Sequence, residues 1–261
     1  MKPRLKEAER AREARRIAAF VRAVVKDAAA SGVVVGLSGG IDSAVVGAMC
    51  VRALGKDRVL GLLMPSDHTP AVDVKDAQRM TDSWGIRTFT IPISATAELI
   101  TASAAVEATK IAKANVEARV RMILLYYFAN SLGYLVAGTG DRSEALLGYF
   151  TKMGDGGVDF LPIVHLYKTQ VRQLGAYLGL PKSVVEKPAS PQLWPGHRAS
   201  DEIPADYGKL DVVLHELFDL RGTKTSAAKK AGVPKAVSER VMQMHMKSAH
   251  KRAMPPSLPP G

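Results

Sequence analysis

The sequence predicts an α/β fold: a doubly wound, mostly parallel sheet with helices on both faces. Short, consecutive apolar runs alternate with helix-length segments, the pattern of buried parallel strands joined by crossover helices. The first such run, "VVVGL" at 33–37, passes directly into "SGGIDSA", a glycine-rich turn that opens a helix. The 261-residue length fits one large α/β domain, and 47% apolar with 23% charged residues is ordinary for a globular protein.

Segment 1–26 spaces Ala, Ile, Phe and Val helically with Arg on the other face, and predicts a docked amphipathic helix. Strand 33–37 is followed by a helix over 43–54, strand 58–65, and a helix over 70–84. Strand 86–93 then leads into one long helix, about 95–132, ending at Gly133. Strand 134–139, a helix over 142–149, a brief strand at 158–163 and a helix over 166–179 complete the core, about 30–180. Residues 187–208 carry four prolines and little periodicity, and read as a functional lid or interface loop. Helices over 208–220, 225–231 and 234–249 form a small C-terminal part, so that 1–252 make one domain and 253–261 a disordered tail.

The formal charge of +11 is concentrated at the two ends. Residues 1–26 hold nine Lys/Arg against three Glu, and 221–252 hold nine against one, leaving the remaining chain slightly acidic. This is read as solvated helix faces, so nucleic acid is not expected as a partner. No apolar run spans a bilayer and the first ten residues lack a secretory core, so no membrane partner is expected and the expected location is the cytoplasm. The single cysteine, Cys50, excludes an intramolecular disulfide and sits within an apolar helix. His68, His165, His197, His215 and His245 lack metal-ligand spacing and a nucleophile partner, and are read as surface or core residues.

Chemistry concentrates in "LSGGIDSA". Gly39 and Gly40 let backbone approach an anion without an intervening Cβ, and the helix opening near Asp42 aims unpaired N–H groups at it. Ser38 and Ser43 add hydroxyls, while Asp42 would repel a bare phosphate, which points to a bridging Mg²⁺. The lysine of the Walker loop is missing.

"SGGIDS" resembles the pyrophosphate loop of the ATP pyrophosphatases, which adenylate a substrate and release pyrophosphate. "NVEARVRM" (115–122), "GTGDRSE" (138–144), "GYFTKMGDGGVDFLPI" (148–163), "LYKTQVRQL" (166–174), "LWPG" (193–196) and "HKR" (250–252) follow in order. Together they resemble ammonia-dependent NAD synthetases over about 15–255, implying a Rossmann-like, adenine nucleotide alpha hydrolase-like fold. The resemblance implies a C–N ligase in NAD biosynthesis. It adenylates deamido-NAD with ATP and Mg²⁺, then lets ammonia displace AMP, giving NAD and pyrophosphate.

Carried over residue by residue, the resemblance assigns ATP to Gly36, Leu37, Ser38, Gly39, Gly40, Ile41, Asp42, Ser43, Thr139, Lys168 and Ser190. It assigns deamido-NAD to Arg119, Lys152, Asp159, His250 and Lys251, with the last two donated to the other subunit's site. Asp42 and Glu144 are the expected Mg²⁺ ligands, and Asp159 and Lys168 the expected catalytic groups, Asp159 handling ammonium. A homodimer packed on helix 95–132 is implied. A chain of this length leaves no room for a glutaminase beside the synthetase, so direct use of ammonia is expected, a separate glutaminase partner being the alternative. Two departures stand out: Asp141, where the family more often has Asn, and "PGHRASDE", two residues longer than usual. Asp141 is expected to bear on pyridine-side or dimer contacts.

Two competing readings are weaker. A tRNA-thiolating member of the same superfamily would suit the positive charge but normally needs more than one cysteine. Residues 223–246 also resemble a helix-turn-helix, a shape that recurs widely as a packing element.

Overall fold

The computed structural model describes residues 4–190, Trp194, Gly196, Ala199 and 202–258. Its sheet has four parallel strands, β1 (Gly32–Gly36), β2 (Val59–Leu63), β3 (Arg87–Thr90) and β4 (Tyr134–Ala137), in the order β3-β2-β1-β4. Val33 pairs with Val59 on one side and with Leu135 on the other. β1 is therefore central and buried on both faces, which is why its run is uninterruptedly apolar.

Alternate residues of β1 feed different cores, as a two-residue side-chain period requires. Val33 and Val35 pack with α1 (Glu7–Asp27), α2 (Ile41–Leu54), α3 (Ala71–Trp84) and α7 (Lys168–Tyr177). Val34 packs on the opposite face with α4 (Ser94–Ala102) and α5 (Lys110–Leu132). A third apolar cluster joins Leu147 of α6 (Arg142–Leu147) and Tyr167 to α9 (Tyr207–Leu214), α10 (Lys224–Ala231) and α11 (Lys235–Lys247). α8 (Lys182–Val185) is a short turn that the sequence reading did not anticipate.

The docked first helix is borne out: Ala14, Ile17, Ala18, Val21 and Val25 are buried, and Arg12, Arg15, Arg16 and Arg22 are exposed. The helix-turn-helix-like segment is a packing element, with Ala227 and Val241 buried against α9. Three expectations are corrected. The long helix over 95–132 is two helices, because Thr109 caps a new one: its side chain accepts from the Ala112 N–H. The strand at 158–163 shrinks to one parallel bridge, Ala137 to Phe160, cut short where Pro162 has no N–H to donate. The helix over 208–220 ends at Leu214 and continues as a π-helical turn, His215–Asp219. Residues 253–258 form no helix or strand, and most of "PGHRASDE" and the end of the tail lie outside the described residues. No described helix is long and apolar enough to cross a membrane.

Candidate active site

The strand order reverses direction between β1 and β4, and in parallel sheets this switch point opens a crevice beyond the carboxyl ends of the strands. Here the turns after β1 and β4 stand side by side on a cleft of about 760 Å³. Gly36, Leu37, Ser38, Gly40, Ile41, Asp42 and Ser43 line it, with Thr139, Glu144, Lys168, Ser190 and Lys251.

In the first turn, Gly39 takes φ +77 and Gly40 stands as the N-cap of α2, with no side chain capping the helix. A Cβ on Gly39 would lie 2.2 Å from the Asp73 carbonyl oxygen, so only glycine passes this close to α3. The serines brace the loop. Ser43 Oγ accepts from the Ser38 N–H at 3.2 Å and donates to the Gly40 carbonyl at 3.1 Å, and the two hydroxyls lie 3.2 Å apart. The unpaired amides of the first turn of α2 are the anion-seeking donors.

Deep in the cleft, Lys168 is the first residue of α7 and only 1% exposed. Its Nζ lies 2.7 Å from Asp42 Oδ2, 2.7 Å from Glu144 Oε1 and 3.1 Å from Asp141 Oδ2, under the Tyr207 ring at 5.3 Å. α7 reaches α2 because Gly175 leaves room: a Cβ there would lie 2.6 Å from Ile41 Cδ1. Burial works against charge on Lys168, but the three carboxylates more than offset it and hold its pKa well above the usual lysine value. Asp141 is fully buried and caps α6, accepting from the Glu144 N–H at 2.8 Å. Burial drives its pKa well up; Lys168 opposes, and the neighbouring carboxylates add to the rise. Burial likewise lifts Glu144 to about 6, Lys168 opposing and Asp42 adding. Asp141 is thus a fully buried member of this cluster.

Three carboxyl groups around one ammonium leave excess negative charge. Asp42 Oδ1 is buried and has no hydrogen-bond partner. Together with Glu144 it forms a hard, two-carboxylate oxygen set, which fits Mg²⁺ shared with substrate phosphates. Among the described residues no group of three or more His, Cys, Asp or Glu is arranged to hold a metal.

A second layer fixes these groups. Asp211 of α9, fully buried, accepts from Ser143 Oγ at 2.6 Å, from the Thr169 N–H at 2.8 Å and from Thr169 Oγ1 at 2.7 Å. Ser143 Oγ in turn accepts from the Lys168 N–H at 3.0 Å. One carboxylate thereby binds the first turns of α6 and α7, next to Glu144 and Lys168. Asp219, carried on the π-helical turn, accepts from Tyr167 Oη at 2.8 Å, lies 2.8 Å from His215 Nδ1, and pairs with Arg142. Sequence reasoning passed over Tyr207, Lys187, Asp211 and Asp219; each acts through partners far away in the chain, which local spacing does not reveal.

The residues expected for deamido-NAD divide. Lys251 lines the cleft, donating to the Gly148 and Phe150 carbonyls at 2.8 and 2.6 Å. Arg119 and Asp159 are exposed and stand off the cleft lining, as do half-buried Lys152 and exposed His250. Arg119 donates to the Lys152 carbonyl at 3.3 Å. Both Asp159 oxygens are engaged, by Tyr126 Oη at 3.0 Å and the Val136 N–H at 2.7 Å. Of the histidines, His165 contacts Glu13, His215 contacts Asp219, and His245 Nδ1 donates to the Leu146 carbonyl; His197 lies outside the described residues. Cys50 is buried, and burial pushes its thiol up to about 12.

Comparison with known proteins gives the family. The NAD synthase family matches residues 13–255. An NH(3)-dependent NAD(+) synthetase of Hyperthermus butylicus is 48% identical over 248 residues, covering 95% of this chain and 90% of the relative. The solved NMN synthetase of Francisella tularensis superposes with a TM-score of 0.85 at 33% identity, covering 96% of this chain and 98% of that one. The NH3-dependent NAD synthetase of Campylobacter jejuni gives 0.82 at 30%, covering 96% and 99%. The fold of the solved relatives and the sequence of the curated one lead to a single assignment: the chain belongs to the NAD synthase family.

Proposed function

We propose that this chain amidates deamido-NAD with ammonia, using ATP, through an adenylated carboxylate. The observation that carries this reading is one cleft at the sheet's switch point that holds both an anion-seeking helix N-terminus and the Asp42–Lys168–Glu144 cluster.

A carboxylate oxygen of deamido-NAD attacks the α-phosphorus of ATP, and the bond from that phosphorus to the bridging oxygen breaks to release pyrophosphate. Ammonia then adds to the acyl carbon, and AMP leaves with the attacking oxygen while the amide sheds a proton. The pyrophosphate lies against the first amides of α2, with the Lys168 ammonium supplying positive charge to the leaving group. Asp42 and Glu144 would hold Mg²⁺, which when bound neutralises phosphate charge. Thr139 and Ser190 border the nucleotide. Lys168 is the catalytic group of the first step. Asp159 is our candidate for orienting ammonium, Tyr126 and the Val136 N–H fixing its carboxylate. Catalysis is then mostly positioning and charge stabilisation.

Deamido-NAD spans from the cleft to Arg119, Lys152 and Asp159, with His250 and Lys251 at the C-terminal end. Exposed Ile123 (56%) and Tyr127 (64%) lie one turn apart on α5, near this group, and support a homodimer that walls that side. We place the enzyme in the cytoplasm, taking free ammonia or ammonia from a separate glutaminase.

Incubation with ATP, Mg²⁺, deamido-NAD and ammonium is expected to yield NAD, AMP and pyrophosphate in equal amounts; ADP would overturn the reading. The likeness to an NMN synthetase favours one second reading, in which nicotinate mononucleotide is the acid. The same assay with each acid decides between them by kcat/KM.

A further inference from the structure

One half-buried lysine in the cleft, Lys187, has no part in the steps above. Lys187, where the long loop leaves α8, places its Nζ 2.6 Å from Asp73 Oδ1, 2.7 Å from Asp76 Oδ2 and 3.0 Å from the Gly39 carbonyl oxygen. Both carboxylate side chains are 5% exposed and sit one turn apart at the start of α3. The ammonium thus ties its own loop to two segments more than a hundred residues away in sequence, the turn at Gly39 and the start of α3. The two carboxylates outweigh burial and hold its pKa above the usual lysine value.

The contact to Gly39 has a consequence for the neighbouring amide. In a trans peptide the carbonyl and the next N–H point in opposite directions, and the chain has no cis peptide bond among its described residues. Holding the Gly39 oxygen toward α3 therefore sets the direction of the Gly40 N–H, which donates to Ser38 Oγ at 3.3 Å. Between two glycines this peptide plane has little steric resistance to flipping, because neither residue has a Cβ. Flipped, it would present a carbonyl oxygen to the anion in place of an N–H.

We propose that Lys187 is a positioning residue that locks the Gly39–Gly40 peptide, keeping the Gly40 N–H and the Ser38 hydroxyl that accepts from it, rather than a carbonyl oxygen, on the pyrophosphate side of the turn. This rests on the reading of the turn at 38–43 as a pyrophosphate loop. It also gives the long loop a role: its first residue ties the loop to the anion site.

The test is Lys187→Met, alone and combined with Asp73→Asn and Asp76→Asn, which removes the buried charges the lysine neutralises. Lys187→Met is expected to raise the KM for ATP and weaken binding of magnesium pyrophosphate by about tenfold or more, the scale of one hydrogen bond to a charged group. The KM for deamido-NAD is expected to stay within about twofold, since the lock acts on the ATP side alone. The triple variant is expected to recover thermal stability and keep the ATP defect. Recovery of ATP affinity in the triple variant, or unchanged pyrophosphate binding in Lys187→Met, would overturn the lock and leave the reaction standing. Wild-type chain that binds pyrophosphate, loses that binding in Lys187→Met, and forms no NAD would overturn the reaction and leave the lock standing.

Discussion

Lys168 and Asp42 are 126 residues apart in sequence, yet Lys168 Nζ donates to Asp42 Oδ2 at 2.7 Å in the buried base of the cleft. The pair joins the first turns of α7 and α2, and Glu144 completes it at 2.7 Å. Lys168→Met would leave three carboxylates facing one another without a cation. Breaking a buried pair in this way costs about 3–5 kcal/mol. Turnover is expected to fall at least about 100-fold, as when a preorganised charge-stabilising group is removed. Urea unfolding and steady-state kinetics measure the two effects; near-wild-type kcat would refute the role of Lys168.

Asp211 touches neither cleft nor proposed substrate, yet it binds Ser143 and Thr169 at once. Asp211→Ala strands buried donors on both α6 and α7, at about 2–3 kcal/mol. The kcat is expected to fall with it, because Glu144 and Lys168 ride on those turns. Asp211→Asn, which keeps an acceptor, is expected to recover part of both; loss of stability with unchanged kcat would make the staple purely structural.

The Glu144 carboxyl, raised to about 6 by burial first, predicts a pH dependence. The folded chain keeps this proton to a higher pH than the unfolded chain, whose value is 4.5. In the metal-free protein this group's contribution is therefore full below 4.5 and is lost as pH rises to about 6. Mg²⁺ needs the ionised form, so its affinity is expected to rise over the same interval. Calorimetric Mg²⁺ titrations across that range check this, and Glu144→Gln is expected to flatten both profiles.

The exposed Ile123 and Tyr127 pair on α5 predicts a self-association surface. Light scattering is expected to give a dimer mass, and Tyr127→Glu a monomer, because a buried charge at an apolar interface goes unpaired. A monomeric wild type at the same concentration would remove the dimer.

The parts of the fold legible in the sequence are those with local causes. β1 is read from Val33, Val34 and Val35, because a strand buried on both faces needs an unbroken apolar run. The turn at 38–43 is read from its glycines, and α1 from its 3.6-residue apolar spacing. The break before α5 is not legible, because the capping Thr109 lies in a segment otherwise helical in composition. The apolar run at 158–163 resembles a strand, but its residues serve packing, and a single bridge is all that Pro162 permits. Asp141 signals locally only a helix cap, three residues before Glu144, and Lys187 and Asp211 carry no local signal at all. Their meaning comes from partners up to 148 residues away, which only the assembled sheet brings together.

The most direct test of the central claim follows an oxygen atom. Deamido-NAD labelled with ¹⁸O in both carboxylate positions, turned over with ATP, Mg²⁺ and ammonium, is expected to deliver one label to AMP and keep one in the amide of NAD. Label in inorganic phosphate, or AMP without label, would contradict adenylation of the carboxylate at this site.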